Sequence, residues 1–187
     1  MLYTGMFNKY NWGCSQVIKT RLYSNSIIVR VRGKNNGIYL KIDTGSPITV
    51  LSYNDAVVIL DTSIEKLGEK IKKIKDVETY YTYSNGQIRV VKCCINNVNI
   101  GGDIVREFYF YLNTDIECKS TSLLGMDFIE KCTGNLNTGG NLTLNYQRWY
   151  KSNEDISDYA FIGSLESEYS NIKKDRLFLD TSFPDIL

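Results

Sequence analysis

Residues 38–52 constrain the fold more than any other stretch, because two apolar runs flank a tight polar turn there. The first run leads into Asp43, the sequence Thr-Gly-Ser follows at 44–46, and apolar residues resume at Ile48. Apolar, β-branched residues on both sides of a turn predict two buried strands, and glycine lets the backbone turn closely. A carboxylate between such strands loses much of its water, so we expect Asp43 to be hydrogen-bonded, paired or shifted in pKa.

A second segment, residues 123–129, reads Leu-Leu-Gly-Met-Asp-Phe-Ile and predicts a short helix over 126–132 after its glycine. This glycine lies eighty residues beyond Gly45. An Asp-Thr-Gly turn followed at a distance by an apolar-apolar-Gly segment resembles retropepsin-like (retroviral-type) aspartic proteases, in the single-domain form found in bacteria. The resemblance covers roughly residues 26–148.

That resemblance implies a mainly β fold: a small closed β-barrel of the retropepsin-like acid protease type, with one or two short helices, that works as a homodimer. Two chains would each contribute one aspartate, and Thr44 would brace the two turns across the twofold axis. The residues expected to be catalytic are therefore Asp43, Thr44 and Gly45. Those expected to support the turn from behind are Leu123, Leu124 and Gly125.

A hairpin is predicted between these two segments, where β-rich runs at 79–84 and 87–95 meet across an Asn-Gly pair. In the retropepsin-like family, a flap that closes over bound peptide occupies this place in the order of elements. From the residues alone, an ordinary hairpin of an antiparallel sheet remains an equal alternative. The residues expected to bind substrate are Ser46, Pro47 and Ile48 after the turn, and Tyr83, Ser84, Asn85 and Gly86 in the flap.

Short strands and a few helices account for the rest of the pattern. Strands are predicted at 26–32, 38–43, 48–52, 95–100 and 104–112, with a closing hairpin over 134–149. Helices are predicted at 53–60 and, after a cap at 61–63, to about residue 75, the second burying Ile64, Leu67, Ile71 and Ile74.

Three regions follow from the resemblance and from composition: an N-terminal extension at 1–25, a protease domain at 26–150, and an acidic C-terminal extension at 151–187. In the last region we predict a helix at 164–174 and an apolar strand at 176–179. We expect that strand to join the dimer interface, because retropepsin-like dimers are held by a sheet of chain termini. A tail that restrains the cleft and a loose surface extension are the alternatives.

Composition excludes most rival functions. The 187 residues include no histidine, which removes Ser-His-Asp and Cys-His catalysis and His-ligated zinc sites, and we expect no metal or cofactor. A net charge of +1 and short apolar runs favour neither nucleic acid nor membrane as a partner. Five cysteines, an odd number, suit reduced thiols, and residues 1–20 lack the apolar core of a signal peptide, so a cytoplasmic location is expected.

Carboxylate chemistry remains, and the preferred interpretation is a homodimeric aspartic endopeptidase acting on peptide or protein substrates. Two copies of Asp43 across a twofold axis would share one proton, so that one could activate water while the other protonates the substrate carbonyl. One alternative is a retropepsin-like domain without catalysis that serves as a dimerisation or peptide-binding module. The other is a general β domain whose turn matches by coincidence.

Overall fold

The computed structural model describes residues 16–75, 77–82, 86–118, 122–136, 142–146 and 159–165, which contain twelve strands and three short helices. The mainly β fold predicted from the sequence is thus confirmed. The strands are β1 (Gln16–Lys19), β2 (Arg21–Tyr23), β3 (Ser26–Arg32), β4 (Gly37–Ile42), β5 (Val50–Leu51), β6 (Val77–Thr82), β7 (Gly86–Ile100), β8 (Asp103–Asn113), β9 (Leu123–Leu124), β10 (Cys132–Leu136), β11 (Leu142–Tyr146) and β12 (Ala160–Ser164). The helices are α1 (Tyr53–Leu60), α2 (Ile64–Ile71) and α3 (Met126–Ile129).

The described strands form two sheets. The larger has nine strands in the order β12-β7-β8-β5-β9-β4-β3-β2, with β6 also paired to β7, and the smaller has the order β1-β11-β10. Strand β9 pairs in parallel with β4 and antiparallel with β5. It therefore lies between the two strands that enter and leave the Asp-Thr-Gly turn.

Strand β7 organises the larger sheet, because it is fifteen residues long and is paired along both edges. One edge pairs with β8 from Val90 to Ile100. Along the other edge, β6 pairs with residues 86–91, β12 with 93–96 and β3 with 99–100. The hairpin of β6 and β7 predicted across residues 85–86 is present, with Thr82 opposite Gly86.

Two apolar clusters lie on opposite faces of the β7–β8 pair, as the alternation of side chains along a strand requires. The main core contains Phe108, Phe110 and Leu112 of β8, with residues of α1 and α2 packed against the sheet. The second cluster consists of Val50, Ile88, Val90 and Tyr111, with Ile48 and Leu123 packed against it.

The two longer helices begin as the sequence predicts. Ser52 caps α1 and Ser63 caps α2, each accepting a hydrogen bond from a backbone amide three residues on. Helix α2 ends at Ile71 rather than near residue 75. Its predicted buried face is wrong at Ile64, which is 41% exposed, since side chains at the first helical position point beyond the N-terminal turn.

Other predicted bounds also change. The outgoing strand at 48–52 shrinks to β5, because the carbonyls of residues 46–48 accept hydrogen bonds from outside any strand ladder. The helix predicted to reach 132 stops at Ile129, since β10 begins at Cys132, and the runs 87–95 and 95–100 form the single strand β7.

At the chain ends, residues 16–23 form two strands that were not predicted. Residue 164, the predicted start of a helix, closes β12 instead, because that segment pairs with β7. The rest of that helix and the strand predicted at 176–179 lie outside the described residues. Within the described ranges, no helix is long and apolar enough to cross a membrane.

Candidate active site

The turn after β4 fixes the carboxylate of Asp43 through its own backbone. The amide of Gly45 donates to Asp43 Oδ1 at 3.0 Å, and the amide of Ser46 donates to the Asp43 carbonyl at 3.2 Å. The amide of Asp43 donates in turn to the Leu124 carbonyl at 2.9 Å. Asp43 is half-buried while Thr44 is exposed, so a hydrogen-bonded carboxylate, as expected, sits on an accessible turn.

Residues after the turn use their carbonyls internally. The Ser46 carbonyl accepts from the Met126 amide at 2.8 Å, the Pro47 carbonyl accepts from the Asp127 amide at 3.2 Å, and Ser46 Oγ donates to the Ile48 carbonyl at 2.8 Å. Proline has no backbone N–H. The next amide, that of Ile48, makes no hydrogen bond within the described part of the chain. Among residues 46–48 it is therefore the backbone donor that could bind a peptide.

The Leu-Leu-Gly segment packs directly behind this turn. Leu124 is fully buried in the main core, and Leu123 is half-buried against the second cluster. A Cβ atom on Gly125 would lie 2.1 Å from the Ile48 carbonyl oxygen, so only glycine fits between β9 and the outgoing chain. The structure therefore places Leu123 and Leu124 between the strands that enter and leave the turn, and Gly125 against Ile48. The functional role of these three residues stays a prediction.

A buried threonine joins the two segments, and the sequence reasoning missed it. Thr49 is fully buried, and its Oγ1 donates to Asp127 Oδ1 at 2.6 Å while accepting from the Gly125 amide at 3.1 Å. The only signal in the sequence is a hydroxyl at an inward position of an apolar strand. Thr49 thus satisfies a buried amide and anchors the first turn of α3.

A second polar pair ties the start of β9 to α1. The buried hydroxyl of Ser122 donates to the Asp55 carboxylate and accepts from the Ser52 amide at 2.8 Å. The helix whose cap is Ser52 is therefore bonded to the segment that supports the turn.

The hairpin predicted as a flap is attached to the site through the second cluster. Ile88 and Val90 of β7 are buried there beside Val50, two residues beyond Ile48. Gly86 is exposed with φ of 66°, and nothing lies within 4 Å of where its Cβ would be. Tyr83, Ser84 and Asn85 lie outside the described residues.

Within the described residues, the carboxylates that take part in the hydrogen bonds of this site are those of Asp43, Asp55 and Asp127. The carboxylates of Asp127 and Asp55 accept hydrogen bonds from the hydroxyl groups of Thr49 and Ser122. The Asp43 carboxylate accepts from the backbone of its own turn, which makes it the carboxylate placed for chemistry there. Across the ranges that the structure describes, no three Cys, Asp or Glu side chains are grouped closely enough to hold a metal ion. One half-buried carboxylate can act as an acid or as a base, and a reaction that needs both at once requires a second.

The comparison with protein families agrees with this chemistry. The family model described as aspartyl protease matches residues 27–128, a range that contains both the turn and the Leu-Leu-Gly segment. The structure is similar to the crystal structure of a retropepsin-like aspartic protease from Rickettsia conorii, with 24% identity, coverage of 68% of this chain and 98% of that chain, and a TM-score of 0.48. No curated protein matches the sequence.

Proposed function

This chain belongs to the aspartyl protease family, and from that premise we propose that it is an aspartic endopeptidase whose active site forms where two copies of the chain meet. Each copy would supply Asp43 from its Asp-Thr-Gly turn. One observation carries the proposal: a hydrogen-bonded, half-buried carboxylate on an accessible turn that is braced from behind by a Gly-containing strand. A closed retropepsin-like barrel and a homodimer are parts of the proposal.

In the proposed mechanism, the two Asp43 carboxyl groups share one proton, because like charges a few ångströms apart cannot both remain ionised. The ionised partner takes a proton from water, and the protonated partner gives one to the peptide carbonyl. Thr44 and Gly45 are exposed on the turn, which supports their facing a second copy. The bonds from Met126 and Asp127 to the turn hold Asp43 in place before substrate arrives.

The proposed substrate is an extended peptide bound in the manner of an added strand. The Ile48 amide is the available donor beside the turn, and Ser46 and Pro47 would line the path with their side chains. The hairpin of β6 and β7 would close over the peptide as a flap, and Tyr83, Ser84, Asn85 and Gly86 are the residues that we propose would contact the peptide. We also propose a cytoplasmic location, supported by the described cysteines, none of which forms a disulfide.

The proposal is tested by replacing Asp43 with asparagine, which keeps the size of the side chain and removes the acid. A library of peptides is incubated with the wild type and with Asp43→Asn, purified in parallel so that a contaminating protease would appear in both. We expect cleavage by the wild type, none by the variant, and the same melting temperature for both within about 3 °C.

Dilution separates a shared site from a site within one chain. If two copies form the site, the specific activity of the wild type falls once its concentration drops below the dimer dissociation constant. Cleavage that survives Asp43→Asn would refute the catalytic assignment. A folded dimer that cleaves nothing would support a dimerisation or peptide-binding module instead.

A further inference from the structure

We propose that Tyr159, just before β12, is a positioning residue that fixes Tyr111 and, through it, the apolar wall between the Asp43 turn and strand β7. This inference rests on the proposed function and extends it, because it gives a residue of the C-terminal segment a part in peptide binding. Tyr159 itself would touch neither substrate nor Asp43.

The ring of Tyr159 packs edge-on against two tyrosines of β8. Its centroid lies 5.0 Å from that of Tyr109 and 6.3 Å from that of Tyr111, with interplanar angles of 71° and 69°. Such T-shaped pairs are favourable arrangements for aromatic rings. The ammonium group of Lys92 lies 5.9 Å from the same ring centroid and also pairs with Glu78 of β6 at 2.9 Å. Tyr159 is therefore linked to both strands of the β6–β7 hairpin region.

Tyr111 connects this aromatic group to the site. It is 8% exposed and belongs to the second cluster with Val50 and Ile88. It pairs with Val50 in the β5–β8 register, and its amide donates to the Thr49 carbonyl at 2.8 Å. Tyr111 thus contacts the segment directly after the turn on one side and Tyr159 on the other.

Strand β12 holds Tyr159 in place. It runs parallel to β7 from Ala160 to Ser164, filling the edge between the residues paired with β6 and those paired with β3. Ile162 is 2% exposed, and its carbonyl accepts a hydrogen bond from Lys70 Nζ of α2 at 2.7 Å. An anchored strand immediately after Tyr159 leaves its ring little freedom to move away from Tyr111.

The two sides of this segment differ in what they contact, and that difference supplies a matched control. Ile162 packs into the main core, whereas Tyr159 packs against the tyrosines of β8 on the face that carries the second cluster. Losing part of Ile162 should lower stability without changing the wall. Losing the Tyr159 ring should change the wall as well.

The test compares Tyr159→Ala, Tyr159→Phe and Ile162→Val with the wild type, using a fluorogenic decapeptide selected from a library that the wild type cleaves. We expect Tyr159→Ala to raise KM by about three- to tenfold while kcat changes less than twofold, since Ile48, the proposed peptide donor, packs against the cluster that contains Tyr111, and Asp43 is untouched. Tyr159→Phe keeps the ring and should restore KM to within about twofold. Ile162→Val should lower the melting temperature and leave KM unchanged.

A second measurement does not depend on activity. Hydrogen exchange of the Tyr111 amide reports its bond to Thr49, and we expect exchange at least about tenfold faster in Tyr159→Ala and within about threefold of wild type in Ile162→Val. The inference is overturned if Tyr159→Ala and Ile162→Val have the same KM, or if exchange at Tyr111 is equal in both. If the wild type cleaves nothing, the proposed function fails, and the exchange experiment alone decides whether Tyr159 fixes Tyr111.

Discussion

Replacing Gly125 with alanine tests whether the contact behind the turn is required. The added Cβ would lie 2.1 Å from the Ile48 carbonyl oxygen and 2.3 Å from the Ile48 carbonyl carbon, whereas real Cβ atoms essentially never approach closer than 3.0 Å. Both neighbours are backbone atoms, so no side chain can rotate away. Strand β9 and the outgoing chain must therefore separate by close to 1 Å.

The cost follows from the hydrogen bonds across this contact. Backbone amides donate three of the hydrogen bonds that join the two segments: the Gly125 amide to Thr49 Oγ1 at 3.1 Å, and the amides of Met126 and Asp127 to the Ser46 and Pro47 carbonyls at 2.8 and 3.2 Å. A separation of about 1 Å puts all three beyond hydrogen-bonding distance. At about 1 kcal/mol net for each bond, the free energy of unfolding should fall by about 3 kcal/mol.

Urea denaturation at a fixed protein concentration measures this change, with Gly68→Ala as the control. Gly68 lies inside α2, where a Cβ would meet only the Tyr53 hydroxyl at 3.2 Å, and alanine in a helix interior is favoured by about 1 kcal/mol. At 3.2 Å the Tyr53 hydroxyl must shift by a few tenths of an ångström, which offsets part of the gain in helix propensity, so we expect that control to lie within about 1 kcal/mol of the wild type. A Gly125→Ala protein within 1 kcal/mol of wild type, with normal peptide cleavage, would refute the reasoning.

Three further predictions concern the buried hydroxyl, a buried thiol and the C-terminal segment. Thr49→Val keeps the shape of the side chain but leaves the buried Gly125 amide and the half-buried Asp127 carboxylate without their hydroxyl partner, so we expect the free energy of unfolding in urea denaturation to fall by about 2 kcal/mol. Thr49→Ser keeps the hydroxyl and should lose less. Burial raises the pKa of the Cys93 thiol to about 12 from its ordinary value of 9.0. The stability that the neutral, buried thiol contributes is therefore fully present below pH 9 and is lost as the pH rises toward 12. Cys93→Ala should then reduce the fall in melting temperature between about pH 9 and about pH 11. A chain ending after residue 165 keeps β12 but lacks the strand predicted at 176–179, and we expect a folded monomer by sedimentation. A fully active dimer of residues 1–165 would contradict the predicted role of 176–179. Ending the chain after residue 150 also removes Ile162 from the core and should lower the free energy of unfolding by at least about 2 kcal/mol.

Features set by neighbouring residues were predictable from the sequence. The hairpin of β3 and β4, helix α1 with its Ser52 cap, and the hairpin of β6 and β7 each depend on a turn or cap signal inside the element. The fold around the turn was predicted by family resemblance rather than by periodicity, since no local signal tells β9 to insert between β4 and β5. The family match over residues 27–128 confirms the family, while the roles of individual site residues stay predictions.

Contacts between distant residues were not predictable, and they hold the site together. Thr49 and Asp127 are 78 positions apart, and Ser122 and Asp55 are 67 apart, so neither pair leaves a pattern within any window of the sequence. A threonine in a strand is ordinary by propensity. Its role becomes visible only when the strand that it faces is known.

Strand β12 shows the same limit on a larger scale. Its sequence is Ala-Phe-Ile-Gly-Ser, in which Ile162 is buried and its neighbour Phe161 is 61% exposed. Such a short segment with a glycine predicts a strand only weakly. The strand forms because β7 needs a partner there: residues 93–95 of β7 are buried, and residues 93–96 would otherwise present unpaired amides and carbonyls between the parts paired with β6 and β3. An unfilled edge in the middle of a long buried strand is costly, and a segment of only moderate strand propensity is stable there because β7, Lys70 and the main core all contact it. The C-terminal segment is thus a strand because of where it docks, and that position also brings Tyr159 against Tyr111.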